Sequence, residues 1–216
     1  MKRYDTILWD WNGTLLDDLA LNLKVENRLL ARRGLTQMGS KEVYLAHFGF
    51  PIIRFYERLG FDFSKERYTD VADEYMDVLR ELSHEAGLFA DAKPVLQTLQ
   101  NAGFHQVIIS AAEQTLLTQQ VQTFGIGSFF EAVLGSSDNL GQSKVDTALS
   151  FLRAHALDPA HTAFIGDTTH DYETAAALGC DCFFVSRGHN SRTRLLDTGC
   201  PVYDSLSDLC ERLVTA

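Results

Sequence analysis

The chain predicts an α/β protein: a doubly wound parallel sheet with an α-helical cap inserted near its start. Three observations lead there. The run 4–9 is apolar and rich in aromatic and β-branched types, so it reads as a strand buried on both faces, and it stops at an acid, Asp10. Apolar positions then recur at helical spacing from Leu19 to Leu82, with no convincing strand among them. From Leu88 onward strand-like and helix-like segments alternate, the pattern of a parallel sheet covered by helices. The core is therefore expected over 1–16 and 88–216, and the cap over 17–87.

The cap divides at its turn signals. Asp17 or Asp18 caps a helix carrying Leu19, Leu23, Leu29 and Leu30, which ends at Gly34. The chain turns at Gly49-Phe50-Pro51, and Pro51 suits the first turn of a helix with Ile52, Phe55, Tyr56 and Leu59 that stops at Gly60. Ser64 opens a longer amphipathic helix with Val71, Tyr75, Val78, Leu79 and Leu82. In the core, helices are predicted over 94–100, 113–124, 144–155, 171–178, 191–197 and 206–214. Strands are predicted over 104–109, 132–134, 162–165 and 182–185, and an edge strand over 201–203, where proline is tolerated.

Composition narrows the function. With 216 residues, 45% hydrophobic and 22% charged, the chain has the make-up of a soluble globular protein. A net charge of −10 argues against nucleic-acid binding, which needs a basic surface. The first five residues lack the apolar stretch of a secretion signal, and no apolar run reaches the ~18 residues of a membrane span. A cytoplasmic protein acting on a small molecule, as monomer or homodimer, is the expectation. Cys180, Cys182, Cys200 and Cys210 read as reduced thiols, since the one-residue gap in Cys180-Asp181-Cys182 is tighter than structural zinc sites use.

Three apolar runs end in residues suited to phosphoryl chemistry. Trp9 leads into Asp10, then Asn12-Gly13-Thr14, a turn with inward backbone donors and a hydroxyl. Ile109 leads into Ser110-Ala111, and Ile165 into Gly166-Asp167-Thr168-Thr169-His170-Asp171. Parallel strands bring all three ends to one rim of the sheet. Asp10, Asp167 and Asp171 then repel one another unless a cation lies among them, and hard oxygen ligands suit Mg²⁺. Ser110 and the neighbouring Ala111 backbone can donate to phosphate oxygens, and Lys144, within Gly141-Gln142-Ser143-Lys144, can supply positive charge.

In the order and spacing of these four motifs the whole chain resembles the haloacid dehalogenase superfamily, with its Rossmann-type core, in the phosphoglycolate-phosphatase-like branch with a helical cap. The resemblance implies a magnesium-dependent phosphatase of a small phosphorylated metabolite. It casts Asp10 as the nucleophile that becomes an aspartyl phosphate, Thr14 as holding the turn, Ser110 as binding the transferred group, and Lys144 as neutralising charge. It casts Asp10, Asp167 and the Asn12 main-chain carbonyl as metal ligands, with Asp171 supporting the metal's water shell. One position departs from the pattern: the phosphatases carry an aspartate two residues after the nucleophile as general acid and base, and this chain has Asn12. An amide cannot transfer a proton, help typically worth ~10²–10⁴ in rate. Asn12 therefore keeps two alternatives in view, a weakly catalytic phospho-ligand binding or regulatory protein, and a phosphotransferase or mutase-type relative. His47, Arg54 and Arg58 in the cap, and His170, Arg187 and His189 after core strands, are candidate substrate contacts.

Overall fold

The computed structural model describes residues 3–137 and 144–215. Six parallel strands form the main sheet: β1 (Thr6–Trp9), β4 (His105–Glu113), β5 (Ala132–Ser136), β6 (Thr162–Gly166), β7 (Asp181–Val185) and β8 (Val202–Tyr203). Their order is β5-β4-β1-β6-β7-β8, so the chain winds one way from β1 through β4 to β5, then returns past β1 to build the other half. The order reverses at β1. Trp9 pairs with Ile108 of β4 on one side and Ile165 of β6 on the other, which sets the carboxyl ends of these three strands side by side. Open α/β sheets bind ligands at such a point.

Both faces of the sheet are buried, as near-continuous apolar strands require. Ile7, Trp9, Ile108 and Ile165 pack into one cluster, and their alternating neighbours Leu8, Val107, Ile109 and Phe164 into another on the opposite face. The Trp9 indole N–H donates to Gln106 Oε1 at 3.1 Å, so that large ring is buried without an orphaned donor. Covering the sheet are α5 (Ala92–Asn101), α6 (Gln114–Thr123), α7 (Val145–Ala154), α8 (Thr169–Leu178), α9 (Arg192–Leu196) and α10 (Leu206–Thr215). Pro94 falls in the first turn of α5, where its missing N–H costs nothing.

The helical insert leaves and returns through a two-stranded antiparallel ribbon, β2 (Leu16–Asp17) with β3 (Gly87–Leu88). Between them lie α1 (Leu19–Arg32), α2 (Lys41–His47), α3 (Ile52–Arg58) and α4 (Tyr68–Leu82). Two local readings differ from the sequence expectation. Ser64 does not open α4: its hydroxyl and amide turn back to Asp62 Oδ1, and the helix starts at Tyr68. The short α2 carries little apolar pattern, because Tyr44 is its one buried residue. Asp18 precedes α1 as expected, but its carboxylate caps no helical amide and points into the core instead. No helix among the described residues is long and apolar enough to cross a membrane.

Candidate active site

The site begins where β1 ends. Asp10 continues the ladder by one bond, its amide donating to Ile165 O at 2.9 Å, and this aims the carboxylate off the sheet edge. The chain then reverses tightly, with Leu15 and Leu16 both donating to Trp11 O. Gly13 sits at φ 72°, and a Cβ there would lie 2.3 Å from Asp167 Oδ2, so both conformation and space demand glycine. Thr14, wholly buried, places its hydroxyl 3.2 Å from Asp10 Oδ2 and 3.2 Å from Asp167 Oδ1. One proton is shared between two acids, which ties the first turn to the β6 end.

Lys144, just before α7, reaches the same point. Its ammonium lies 2.6 Å from Asp10 Oδ1, pairs with Asp171 Oδ1, and is itself only 4% exposed. Asp171 Oδ2 accepts from the amides of Asp167 and Thr168 and from the Thr168 hydroxyl. The capping box of α8 and the charged site thus share one residue. Burial raises Asp10 to about 6, opposed by Lys144, and raises Asp167 well above the usual carboxylate range, with Asp10 and Asp171 adding repulsion. Asp171 goes the other way: Lys144 and the Thr168 donors outweigh its desolvation and hold it low. The same two acids keep Lys144 charged despite its burial.

Oxygen atoms of Asp10, Asp167 and Asp171 lie within 4.8 Å of one another, three buried acids against one ammonium. That surplus of negative charge on hard oxygens fits a small divalent cation. Asp171 is the most heavily bonded of the three, with Lys144 on one oxygen and three donors on the other, whereas Asp10 and Asp167 each hold one further partner besides the shared Thr14 hydroxyl.

Ser110 and Ala111 occupy β4 where its register with β5 shifts between Ile109 and Glu113. Such an irregularity re-aims side chains at a sheet's rim. Ser110 Oγ accepts from the Ala112 amide at 3.1 Å, which leaves its proton for a ligand oxygen. Both residues line one cavity of about 160 Å³ with Asp10, Asn12, Lys144, Asp167, His170 and His189.

The cap candidates fall elsewhere. His47, Arg54 and Arg58 do not line this cavity. His47 bonds back to Val43 O, Arg54 pairs with Glu57, and Arg58 donates to His47 O. Arg187 lies against Phe89 and pairs with Asp91. Gly141, Gln142 and Ser143 lie outside the described residues.

Sequence reasoning missed the group beneath Asn12. Asp18, 1% exposed, accepts four bonds: from the Gly13 amide, Asn12 Nδ2, Asn22 Nδ2 and His189 Nε2. Despite burial, His189 pulls Asp18 below its ordinary value, and Asp18 in turn raises His189 to about 9. His189 Nδ1 meets the Tyr44 hydroxyl of α2 at 2.9 Å, so the chain of bonds runs from the Asn12-Gly13 turn into the cap. A signal existed: Asp18, Asn22 and Glu26 follow at four-residue spacing, a polar stripe on a helix face that also carries apolar residues. Other cap–core contacts lie nearby. Arg194 donates to Phe48 O at 2.6 Å, and Phe50 stacks on His170 with ring centres 4.1 Å apart.

The fold recurs among known proteins. A phosphoglycolate phosphatase from Vibrio vulnificus is 24% identical over 192 residues, covering 85% of this chain and 84% of its own. A predicted phosphatase from Clostridium acetobutylicum superposes with a TM-score of 0.85 at 22% identity over 99% of both chains. The Protein Tyrosine Kinase A of Mycobacterium tuberculosis does so with a TM-score of 0.83 at 23% identity, again over 99% of both. The pattern of the haloacid dehalogenase-like hydrolases matches residues 7–185, and the chain belongs to that family.

Proposed function

We propose that the protein is a magnesium-dependent phosphatase that removes the phosphoryl group from a small phosphorylated metabolite through an aspartyl phosphate on Asp10. The observation that carries this is Asp10 at the carboxyl end of β1, 2.6 Å from the buried Lys144 ammonium and grouped with Asp167 and Asp171. The phosphatase named among its relatives supports the reaction class. Asp10, Asp167 and the Asn12 main-chain carbonyl would hold Mg²⁺, which when bound supplies positive charge to the phosphoryl oxygens and the nucleophile.

The protein's own groups do the rest. The Asp10 carboxylate attacks phosphorus as the ester P–O bond breaks, giving an acyl phosphate and the departing alkoxide. Lys144 and the Ser110 hydroxyl, with the Ala111 backbone, take up charge on the transferred oxygens. Water then attacks the acyl phosphate, releasing inorganic phosphate and restoring Asp10.

Asn12 sets the character of both steps. Its Nδ2 is committed to Asp18 at 2.6 Å, and an amide has no proton to give a leaving alkoxide. Expulsion should therefore depend steeply on leaving-group basicity: aryl and acyl phosphates turn over well, alkyl phosphates poorly. Asn12→Asp should speed alkyl esters by up to ~10²–10⁴ while changing aryl esters little. Turnover of alkyl and aryl phosphates by both proteins checks this, with intact mass excluding deamidation at Asn12-Gly13. Fast alkyl turnover by the parent, unimproved in the variant, contradicts the role given to Asn12. Asn12 also favours a second reading, a phospho-ligand binding protein or a phosphotransferase. Steady Mg²⁺-dependent release of inorganic phosphate separates the hydrolase from both.

A further inference from the structure

The cavity above Asp10 continues into the cap, where its walls change character. Tyr44, Phe48, Tyr56, Tyr68 and Tyr75 surround that end, and Glu26 of α1 lies among them at 4% exposure. Glu26 Oε1 accepts from the Tyr56 hydroxyl at 3.3 Å, and Oε2 has no hydrogen-bond partner. The neighbouring polar groups are already satisfied. Asn22 takes the Tyr75 hydroxyl and gives both its bonds to Asp18, while Tyr44 is bonded to His189. Burial alone raises the Glu26 carboxyl to about 8, opposed only by Tyr56.

A buried acid oxygen without a partner costs free energy that a donor or cation recovers. Among the described residues lining the cavity, those able to carry positive charge are Lys144, His170 and His189, and all three stand on the core side. A substrate carboxylate at the cap end would find at best the proton of Glu26 and no counter-charge. A polyhydroxyl group would leave most of its hydroxyls against aromatic and aliphatic walls. An ammonium group suits the place: as it binds, Glu26 gives up its proton to solvent and Oε2 accepts from the ammonium, and tyrosine and phenylalanine faces attract it.

We propose that the cap end of this cavity selects phosphomonoesters whose organic part carries a protonated amine, with Glu26 as its counter-ion and the ring cluster as its wall. The assignment rests on the reading of the Asp10 end as the phosphoryl floor. Asp18 and Glu26 are eight residues apart, about 12 Å along the helix axis. Both side chains enter the cavity from opposite ends of that span, so the nitrogen stands several bonds from phosphorus.

The test is calorimetric titration of the full chain with Mg²⁺, using three phosphonates of matched length that cannot be hydrolysed: 5-aminopentyl-, hexyl- and 5-carboxypentylphosphonate. The amine should bind roughly tenfold to a hundredfold more tightly than hexylphosphonate, the range of a charge-assisted hydrogen bond, and the carboxylate most weakly. Glu26→Gln, close in shape, should bring the amine-to-hexyl ratio near one. Equal binding of amine and hexyl compounds, tighter binding of the carboxylate, or a preference that survives in Glu26→Gln overturns the proposal. The parent's ratio decides by itself if the variant folds poorly. Phosphate release from p-nitrophenyl phosphate, run in parallel, keeps the two readings apart. Release without amine preference overturns the cap assignment alone, and amine preference without release overturns the hydrolase reading alone. Failure of all three to bind, with no release, overturns both.

Discussion

Four donors converge on Asp18, and the Asn12 amide is one of them. An aspartate at position 12 would face Asp18 with like charge, whereas the amide donates to it at 2.6 Å. The charge of Asp18 is balanced by His189, both almost wholly buried. Breaking a buried pair leaves the other charge stranded, which typically costs about 3–5 kcal/mol. Asp18→Asn should lower stability by that order, because an amide cannot accept all four bonds and His189 loses its partner. A urea midpoint shifted down with unchanged slope would report it, and a stability within about 0.5 kcal/mol of the parent would contradict the pairing. Asp10, Lys144, Asp167 and Asp171 were legible in the sequence because each sits at a fixed offset from an apolar strand or a helix start. Asp18 was read only as a helix cap, because its stripe with Asn22 and Glu26 marks a polar helix face without saying that the face is buried.

At the scale of elements, the site is a set of close-packed loops at strand ends. The loop after β7 comes nearest. A Cβ on Gly188 would lie 2.0 Å from Asp167 Oδ2 and 2.6 Å from Gly13 O, and the next residue's amide donates to Asp167 Oδ2. Gly188→Ala must therefore push Asp167 off its position while leaving the sheet intact. It should raise the Mg²⁺ concentration needed for half-maximal activity by roughly 10–100-fold, the usual effect of disturbing a ligand's support. A magnesium titration of phosphate release checks this, and an unchanged midpoint would separate Gly188 from the metal ligands. The strands of the main sheet were readable from their apolar runs, β4 running longer than expected because its register shift carries it past Ser110, whereas the two-residue strands β2 and β3 were too short to read. In the β7–α9 loop Arg187 and His189 were read as candidate substrate contacts and His189 lines the cavity, but the contact of Gly188 with Asp167 was not readable, since it depends on the spatial neighbours of β6 and not on any local pattern. The short α2 escaped for a related reason: it is held by tertiary contact through Tyr44.

Over the whole molecule, the parallel sheet and the helical insert after β1 follow the sequence pattern, and the reversal of strand order at β1 brings the three expected strand ends together. The four-residue stripe of α1 hinted at a polar face, but only the packing of the insert shows that it carries a buried acid into the cavity. Glu26 couples that cavity to global stability. Its carboxyl rises from an ordinary 4.5 to about 8 on folding, so the folded state holds the proton more tightly than the unfolded chain. The stability it lends is full below about 4.5 and is lost as pH climbs through about 8. The parent should therefore lose stability between pH 5 and 8, by at most about 1.4 kcal/mol per pH unit, relative to Glu26→Gln. Parallel denaturation curves of the two proteins across that range would deny Glu26 its raised value.

A covalent phosphoryl group at Asp10 is the central claim of the proposed mechanism, and under the proposed role of Asn12 its hydrolysis should be slow enough for it to be trapped. Mix the protein with Mg²⁺ and acetyl phosphate, quench in acid within one turnover, and weigh the intact chain. The predicted result is one added phosphoryl group, removed by hydroxylamine, mapped to the peptide containing Asp10, and missing in Asp10→Asn, which releases no phosphate. Steady phosphate release with no trapped adduct, together with normal turnover by Asp10→Asn, would contradict it.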